Sequence, residues 1–352
     1  MVIDGREIGP AHPTYFIADI AANHDGSLER ACELIRLAKE AGADAAKFQH
    51  FDAPRIVSDV GFDRLDGKLS HQASWTKSVT EVYQDASVPH DWTPLLKEEC
   101  DRVGITFFSS PYDTDAVDAL EPFVPAYKFG SGDIDWIESL EYVAKKGKPV
   151  IIGTGAATMA EVERAVEAVL AINPDVVVLQ CNTNYTADEG NFDHLNLRVL
   201  ASYQERWPGL VVGLSDHTHG PAAVLGAVAL GARVIERHFT DDNGRPGPDH
   251  AFALDPDAWA TMVRETRRLE RALGSADKFL TANEADSVVV QRRCVRAARD
   301  LPAGHLVTRD DLDVLRPATP GGIGPADVGA VPGRTLRRDV AAGREVRWDD
   351  LA

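Results

Sequence analysis

YFIADIAANHDGSLERACELIRLAKEAGADAAKFQ, residues 15–49, reads as a strand, a helix and a second strand. The flanking runs YFIADIA (15–21) and DAAKFQ (44–49) are short and apolar, as a buried strand requires. Between them Leu28, Ala31, Leu34, Ile35 and Ala38 share one helical face, with Asp25 or Ser27 placed to cap its start and Gly42 to close it. Strand, helix, strand is the βαβ unit that joins parallel strands. Six further runs repeat the pattern: ITFFS (105–109), AYKFGS (126–131), PVIIG (149–153), VVVLQ (176–180), VVGLS (211–215) and RVIERH (233–238). Thr158 precedes a stripe of Val162, Ala165, Val166 and Val169, and a last helix follows Pro256-Asp257 through Trp259, Val263 and Leu269 to Gly274. Eight strands, each followed by a helix, predict a (β/α)8 barrel over residues 1–275. An open doubly wound sheet fits less well, because no G-x-G-x-x-G follows the first strand and polar residues stand at every strand end.

Beyond Gly274 the pattern changes. SADKFLTANEADSVVVQ holds a linker, residues 276–290, and residues 291–352 carry short apolar runs broken by Gly and Pro. Two stretches there, LPAGHLVTRDDL (301–312) and VAAGREVRWDDL (340–351), resemble one another and predict a small β-rich domain of two related hairpin-like units. Such a domain is marginal alone, so it is expected to pack on a barrel, its own or a neighbour's. Residues 52–89 are long for a connection between a strand and its helix and are expected to wall an active site.

Lys and Arg number 37 against 55 Asp and Glu, a net charge of −18, which counts against nucleic acid or an anionic membrane as partner. Any anionic ligand then needs a locally positive pocket. No apolar run is long enough to span a membrane and the N-terminus has no secretory pattern, so a cytoplasmic protein is expected. Cys32, Cys100, Cys181 and Cys294 lack C-x-x-C spacing, against a disulfide framework or a thiolate metal cluster.

The C-terminal ends of barrel strands meet at one mouth. Gathered there are Asp19, Asn23, His24, Lys47, Gln49, His50, Ser109, Ser110, Lys128, Ser131, Asp133, Thr154, Asn182, Thr183, Tyr185, Ser215, Asp216, His217, Glu236, Arg237 and His238. Lys47 and Lys128 sit within apolar strands, where a snorkelling surface lysine fits poorly, and read as ligands for a phosphate and a carboxylate together with Ser110 and Ser131. Schiff-base chemistry is the rival use, but it needs one lysine rather than two. His217 and His238 end consecutive strands and are either the neutral ligands of an open catalytic divalent-metal site or structural histidines. Asp216, His219, Glu236 and His250 are the candidates for further ligands or for groups that orient them.

FIADIAANHDGSLERACELIRLAKEAGADAAKFQHF (16–51), KFGSGD (128–133), GLSDHT (213–218), ERHFT (236–240) and RPGPDHAFALDP (245–256) together resemble the sialic acid synthase family. RRCVRAARDLPAG (292–304) and LRPATPGGI (315–323) resemble the antifreeze-like SAF domain that follows the barrel in that family. The resemblance implies a metal-dependent, aldol-type condensation of phosphoenolpyruvate with an N-acylated amino-hexose aldehyde, giving a nine-carbon 2-keto-3-deoxy acid and phosphate. Carried onto this chain, it makes His217 and His238 the ligands of a divalent metal, Mn in the first place, with Mg, Co or Zn as alternatives. Lys47, Ser110, Lys128, Ser131 and Ser215 fall around phosphoenolpyruvate; Gln49, Thr183, Tyr185 and Asp249 are substrate contacts, and Asp19 and Asp133 stand where the family has glutamates. Arg316 matches an SAF-domain arginine that reaches the neighbouring subunit's site, which implies a domain-swapped homodimer. The chain departs from the family pattern at Gly153-Thr154-Gly155-Ala156, at Thr186 after Tyr185 and at His50. These departures imply either an altered acceptor, such as an unusual aldose of a spore-coat or secondary-metabolite pathway, or ordinary drift in an amino-sugar enzyme. A metal-dependent barrel hydrolase, which needs a third strong metal ligand, and a non-catalytic carbohydrate-binding relative are the competing functions.

Overall fold

All eight apolar runs form parallel strands in a computed structural model of the chain, which describes residues 1–65, 72–73 and 75–352. Residues 66–71 and 74, part of the long stretch expected to wall the site, lie outside the described residues. A short hairpin, β1 (Val2–Ile3) with β2 (Arg6–Glu7), precedes the barrel strands β3 (Tyr15–Asp19), β4 (Ala45–His50), β5 (Thr106–Pro111), β6 (Tyr127–Phe129), β7 (Val150–Gly153), β8 (Val176–Cys181), β9 (Val211–Asp216) and β10 (Val234–His238). Their order in the sheet is β5-β4-β3-β10-β9-β8-β7-β6. The last barrel strand thus pairs with the first, from Val234↔Tyr15 to His238↔Asp19, and β5 and β6 lie in contact, so the sheet curls into a (β/α)8 barrel. A helix follows each strand, from Leu28–Glu40, capped by Ser27 accepting from Arg30 N–H, to Pro256–Leu273, capped by Asp255 accepting from Ala258 N–H.

Alternation along the strands sorts side chains into two cores. Phe16, Ala18, Phe48, Phe107 and Ile152 face the helices, whereas Tyr15, Ile17, Phe108, Ile151, Val177 and Val234 fill the barrel interior together with Ile3 and Ile8 from the N-terminal segment. Toward the C-terminal end the inward positions turn polar, and that switch creates the site. Close packing of the interior depends on Gly213: a methyl group there would meet the Val234 carbonyl oxygen at 2.1 Å and Leu179 Cδ2 at 2.5 Å.

The chain divides into two compact units, Met1–Gly274 and Ser275–Ala352. The second includes the stretch read as a linker, where Ala285–Gln291 is helical. It also contains the antiparallel pair β11 (Cys294–Ala297) and β12 (Leu312–Leu315). Its two similar stretches do not form separate hairpins; they pair with each other. Leu301 and Val340 exchange backbone hydrogen bonds at 2.9 Å, Ala303 N–H donates to Asp339 (2.7 Å), and Ala342 N–H donates to Asp300 (2.8 Å). Asp311 and Asp350, both buried, take corresponding positions and accept from Arg299 and Arg338. Each repeat is too small to cover its own apolar face, so Leu301, Leu312, Val340 and Leu351 share one core.

Gly213→Ala is expected to destabilise the chain by about 2 kcal/mol or more, since backbone of the adjacent strand cannot yield to the added methyl. A denaturant unfolding curve with an unchanged midpoint would contradict that packing.

Candidate active site

The polar inward positions converge at the barrel mouth. Lys47, fully buried on β4, donates to Asp19 Oδ2 of β3 at 2.6 Å and to Ser110 Oγ of β5 at 3.4 Å. Lys128 of β6 lies 3.1 Å from Glu236 Oε1, and Lys47 lies 3.8 Å from Glu236 Oε2. Ser215 Oγ also donates to Glu236 Oε1, at 3.1 Å, and Gln49 Nε2 donates to Asp19 Oδ2, at 3.1 Å. Two ammonium groups and two carboxylates therefore form one buried, charge-balanced cluster. Burial opposes the charge on Lys47, but Asp19 and Glu236 outweigh it and hold its ammonium above the ordinary lysine value. Burial likewise opposes the charge on Glu236, while Lys128 and Lys47 draw its carboxyl down to about 2.

Beside Lys128 the floor is built of glycine, because polar side chains pack directly against its backbone. A Cβ at Gly153 would meet Ser131 Oγ at 2.8 Å and Lys128 Nζ at 3.4 Å, and one at Gly155 would meet Thr183 Oγ1 at 1.8 Å and Cys181 Sγ at 3.1 Å. Gly155 N–H donates to Ser131 Oγ at 3.0 Å. Amide, hydroxyls and ammonium thus come together there, the donor types that hold an anionic group.

His217 and His238 stand side by side with ring centroids 5.4 Å apart, flanked by Tyr185 and Phe252. His217 Nδ1 shares a hydrogen bond with the Asn182 carbonyl at 3.1 Å. Against burial, a hydrogen bond between His217 and the Cys181 thiol pulls the imidazole up and the thiol down. Burial lowers His238 to about 3, so its ring is neutral, and its buried Nδ1 has no hydrogen-bond partner among the described residues. Asp249 Oδ2 lies 3.8 Å from that nitrogen, and Asp19 Oδ2 lies 3.6 Å from His238 Nε2. Among the described residues no group of three or more His, Cys, Asp or Glu is gathered as a cation cage. The donor set that does fit a metal is the open kind, two imidazoles with the remaining positions left to substrate and water.

A cavity of about 150 Å³ opens between Gln49, Tyr112, Tyr185, His238 and Asp249. Trp75, Val82 and Tyr83 also line it, so described parts of the 52–89 stretch do stand at the mouth. Asp133 sits on the turn after β6, its carboxyl pushed up by burial and by Asp135. Arg316 belongs to the second unit, where its Nε donates to the Gln291 carbonyl at 2.6 Å.

Several strand-end residues face away from the mouth. His50 points into the helical layer, with Nδ1 2.6 Å from Ser109 Oγ and Nε2 2.7 Å from Thr93 Oγ1, so its place in the sequence does not make it a sugar contact. Asp216 is paired with buried Arg237 at 3.1 Å, His219 reaches the Ala187 carbonyl, and His250 lies between Thr240 and Asp25, so all three are engaged by other groups. Glu236, in contrast, is the carboxylate that both lysines share. Sequence reasoning left it as one of four accessory candidates, although alternation from His238 puts it on the inward face. Tyr112, whose OH donates to Gln49 Oε1 at 3.3 Å, and Phe252 were not singled out.

Barrel, lysine–carboxylate floor and paired histidines together define a synthase-type (β/α)8 enzyme with a C-terminal appendage. The model of the NeuB family matches residues 34–278, and that of the SAF domain matches residues 292–352. The chain belongs to the NeuB family, the sialic acid synthase group of enzymes. It is 37% identical over 335 residues to the human N-acetylneuraminate-9-phosphate synthase, covering 94% of this chain and 91% of the relative. It is 33% identical to the N,N'-diacetyllegionaminic acid synthase of Legionella pneumophila, covering 97% and 96%. Among solved structures, the spore coat polysaccharide biosynthesis protein SpsE of Bacillus subtilis matches with 31% identity and a TM-score of 0.66 over 100% of this chain and 99% of that one.

Because His50 is buried neutral, with burial lowering it to about 3, folding holds it in a form that binds protons more weakly than the unfolded chain does. Stability contributed by the neutral ring is complete above about pH 6.5 and falls as pH drops toward 3. The wild type is expected to lose up to about 2 kcal/mol between pH 6.5 and 5 through this group, and His50→Gln to lose that component while keeping activity. Urea midpoints across this range that fall in parallel for both proteins would contradict it.

Proposed function

We propose that the chain condenses phosphoenolpyruvate with the open-chain aldehyde of an N-acylated amino hexose, giving a nine-carbon 2-keto-3-deoxy acid and inorganic phosphate. The observation that carries the reading is the buried pair Lys47 and Lys128 around Glu236, beside a glycine-floored anion cradle and two adjacent histidines. Relatives named for neuraminic, legionaminic and pseudaminic acid synthesis support the same product type.

In the reaction, C3 of phosphoenolpyruvate forms a bond to the aldehyde carbon, water adds at C2, and the C2–O bond breaks with phosphate as leaving group. Lys47, Lys128, Ser110, Ser131 and Ser215 hold the phosphate and carboxylate. Asp19 Oδ2, between Lys47 Nζ and His238 Nε2, takes the proton of the attacking water, and Asp133, with its raised carboxyl, is the second acid–base group. Gln49, Thr183, Tyr185 and Asp249 orient the acceptor, and Tyr185 and Phe252 keep bulk water from the histidines. His217 and His238 would hold a divalent metal, Mn in the first place and otherwise Mg, Co or Zn, which when bound would supply Lewis acidity for the aldehyde oxygen. Arg316 acts in a neighbouring subunit's site, in a domain-swapped homodimer. The work is cytoplasmic, where phosphoenolpyruvate is made; no described helix is long and apolar enough to cross a membrane.

A second reading of the acceptor rests on the SpsE relative, 32% identical over 367 residues: an unusual aldose other than N-acetylmannosamine. Either way, phosphate release from phosphoenolpyruvate should require both a divalent metal and an aldose. If no member of a broad aldose panel yields phosphate or a keto acid, the proposal fails. Lys128→Met is expected to raise KM for phosphoenolpyruvate about tenfold or more, because it removes an ammonium from the cradle, whereas exposed Lys145→Met leaves it unchanged. Equal effects in steady-state kinetics would argue against the cradle.

A further inference from the structure

Arg296 of β11 is 9% exposed, the only arginine so deeply placed among the described residues of the second unit. Alternation gives β11 two working faces. Val295 and Ala297 point into the core of the unit, whereas Cys294 and Arg296 face the segment that follows β12. Arg296 Nη2 donates to the Pro317 carbonyl at 2.6 Å and to Thr319 Oγ1 at 2.9 Å, and Nη1 donates to the Gly343 carbonyl at 2.8 Å. Cys294 Sγ also donates to the Pro317 carbonyl, at 3.3 Å, and a Cβ at Gly322 would meet that sulfur at 3.1 Å. The loop from Arg316 to Gly322 thus lies directly on this face of the strand.

Stability alone does not account for the arginine. The one carboxylate oxygen within 4 Å among the described residues, Glu345 Oε2, is 4.0 Å away, and Glu345 is itself engaged by Arg347 at 2.6 Å. Arg296 Nε is buried with no hydrogen-bond partner. A buried guanidinium balanced this loosely adds no more stability than a packed apolar side chain of similar volume would. What it does supply is a planar fork that ties two points of one loop, Pro317 and Thr319, to Gly343 of another.

Pro317 directly follows Arg316. Arg316 is exposed; its Nε donates to the Gln291 carbonyl at 2.6 Å, and its two terminal amino groups make no hydrogen bond among the described residues. Ala318 N–H donates to the Val289 carbonyl at 2.9 Å. Arg316 is therefore fixed from one side by the helix Ala285–Gln291 and from the other, through Pro317 and Thr319, by Arg296.

Resting on the reading that Arg316 acts in a neighbouring subunit's site, we propose that Arg296 is a positioning residue: it grips the loop and thereby sets where the free end of Arg316 points. The phosphoenolpyruvate groups are supplied at the floor by the barrel's own lysines and serines, so an arm from a neighbour acts at the mouth, on the acceptor.

The test compares Arg296→Met, the milder Thr319→Val, Arg316→Ala and the Arg296→Met/Arg316→Ala double variant in the full-length enzyme with Mn2+, phosphoenolpyruvate and an aldose that turns over. Arg296→Met is expected to raise KM for the aldose about tenfold, as Arg316→Ala does, with kcat and KM for phosphoenolpyruvate within about twofold of wild type. Thr319→Val should shift it in the same direction by less, and the double variant should be no worse than Arg316→Ala alone. Effects that multiply in the double variant, or a fall in kcat with KM for the aldose unchanged, would overturn the inference. Amide hydrogen exchange reads the grip without turnover: in Arg296→Met the amides of Ala318 and Gly322 should exchange about tenfold faster while those of Leu301 and Val340 keep their rates. Unchanged exchange at Ala318 and Gly322, or equal acceleration at all four, would also overturn it. If Arg316→Ala leaves every kinetic constant unchanged, the reading of Arg316 fails, and the exchange rates still decide whether Arg296 holds the loop.

Discussion

The mutual neutralisation of Lys47, Lys128, Asp19 and Glu236 is the constraint on which the rest of the mouth depends. Two ammonium groups are stable in the top layer of a barrel interior only because two carboxylates lie within 4 Å of them. Removing any one partner leaves an uncompensated charge in a place where water cannot screen it. The cluster therefore needs four strands, β3, β4, β6 and β10, in fixed register, and the Asp19↔Lys47 and His238↔Asp19 pairings are part of that register. It also solves the problem set by an acidic protein that must hold an anion: the positive charge is kept ready at the floor, held by carboxylates rather than by water.

The period of two along a strand decides which neighbours of a site residue join it. Ser215, His217, Glu236 and His238 face inward; Asp216 and Arg237, one step away, face the helices and pair with each other across β9 and β10. The same alternation puts Gln49 in the cavity and His50 behind it. A difference from the family pattern at His50 is therefore a difference in the packing between β4 and the helix Thr93–Val103.

Most of the barrel was legible, because buried parallel strands are continuous apolar runs and each helix here carries its own cap or stripe. Lys47 and Lys128 were legible as buried polar groups at the strand ends because a snorkelling surface lysine fits poorly inside such runs. Glu236 was harder to see, since its importance comes from which strands adjoin it. The partners of His219 and His250 were hidden because each lies past a strand end, where the chain path and not periodicity sets direction. The pairing of the two similar C-terminal stretches with each other was equally hidden, since similarity of sequence does not say whether two units stand apart or share a core.

The most direct measurement of the central claim is a crystal structure of the enzyme soaked with Mn2+, phosphoenolpyruvate and a reduced amino sugar. The account predicts phosphoenolpyruvate in the cradle of Lys47, Lys128, Ser131 and Gly155, the metal between His217 and His238, and the reduced sugar running outward past Gln49 and Tyr185. Phosphoenolpyruvate bound elsewhere, with both lysines still engaged only by Asp19 and Glu236, would contradict it.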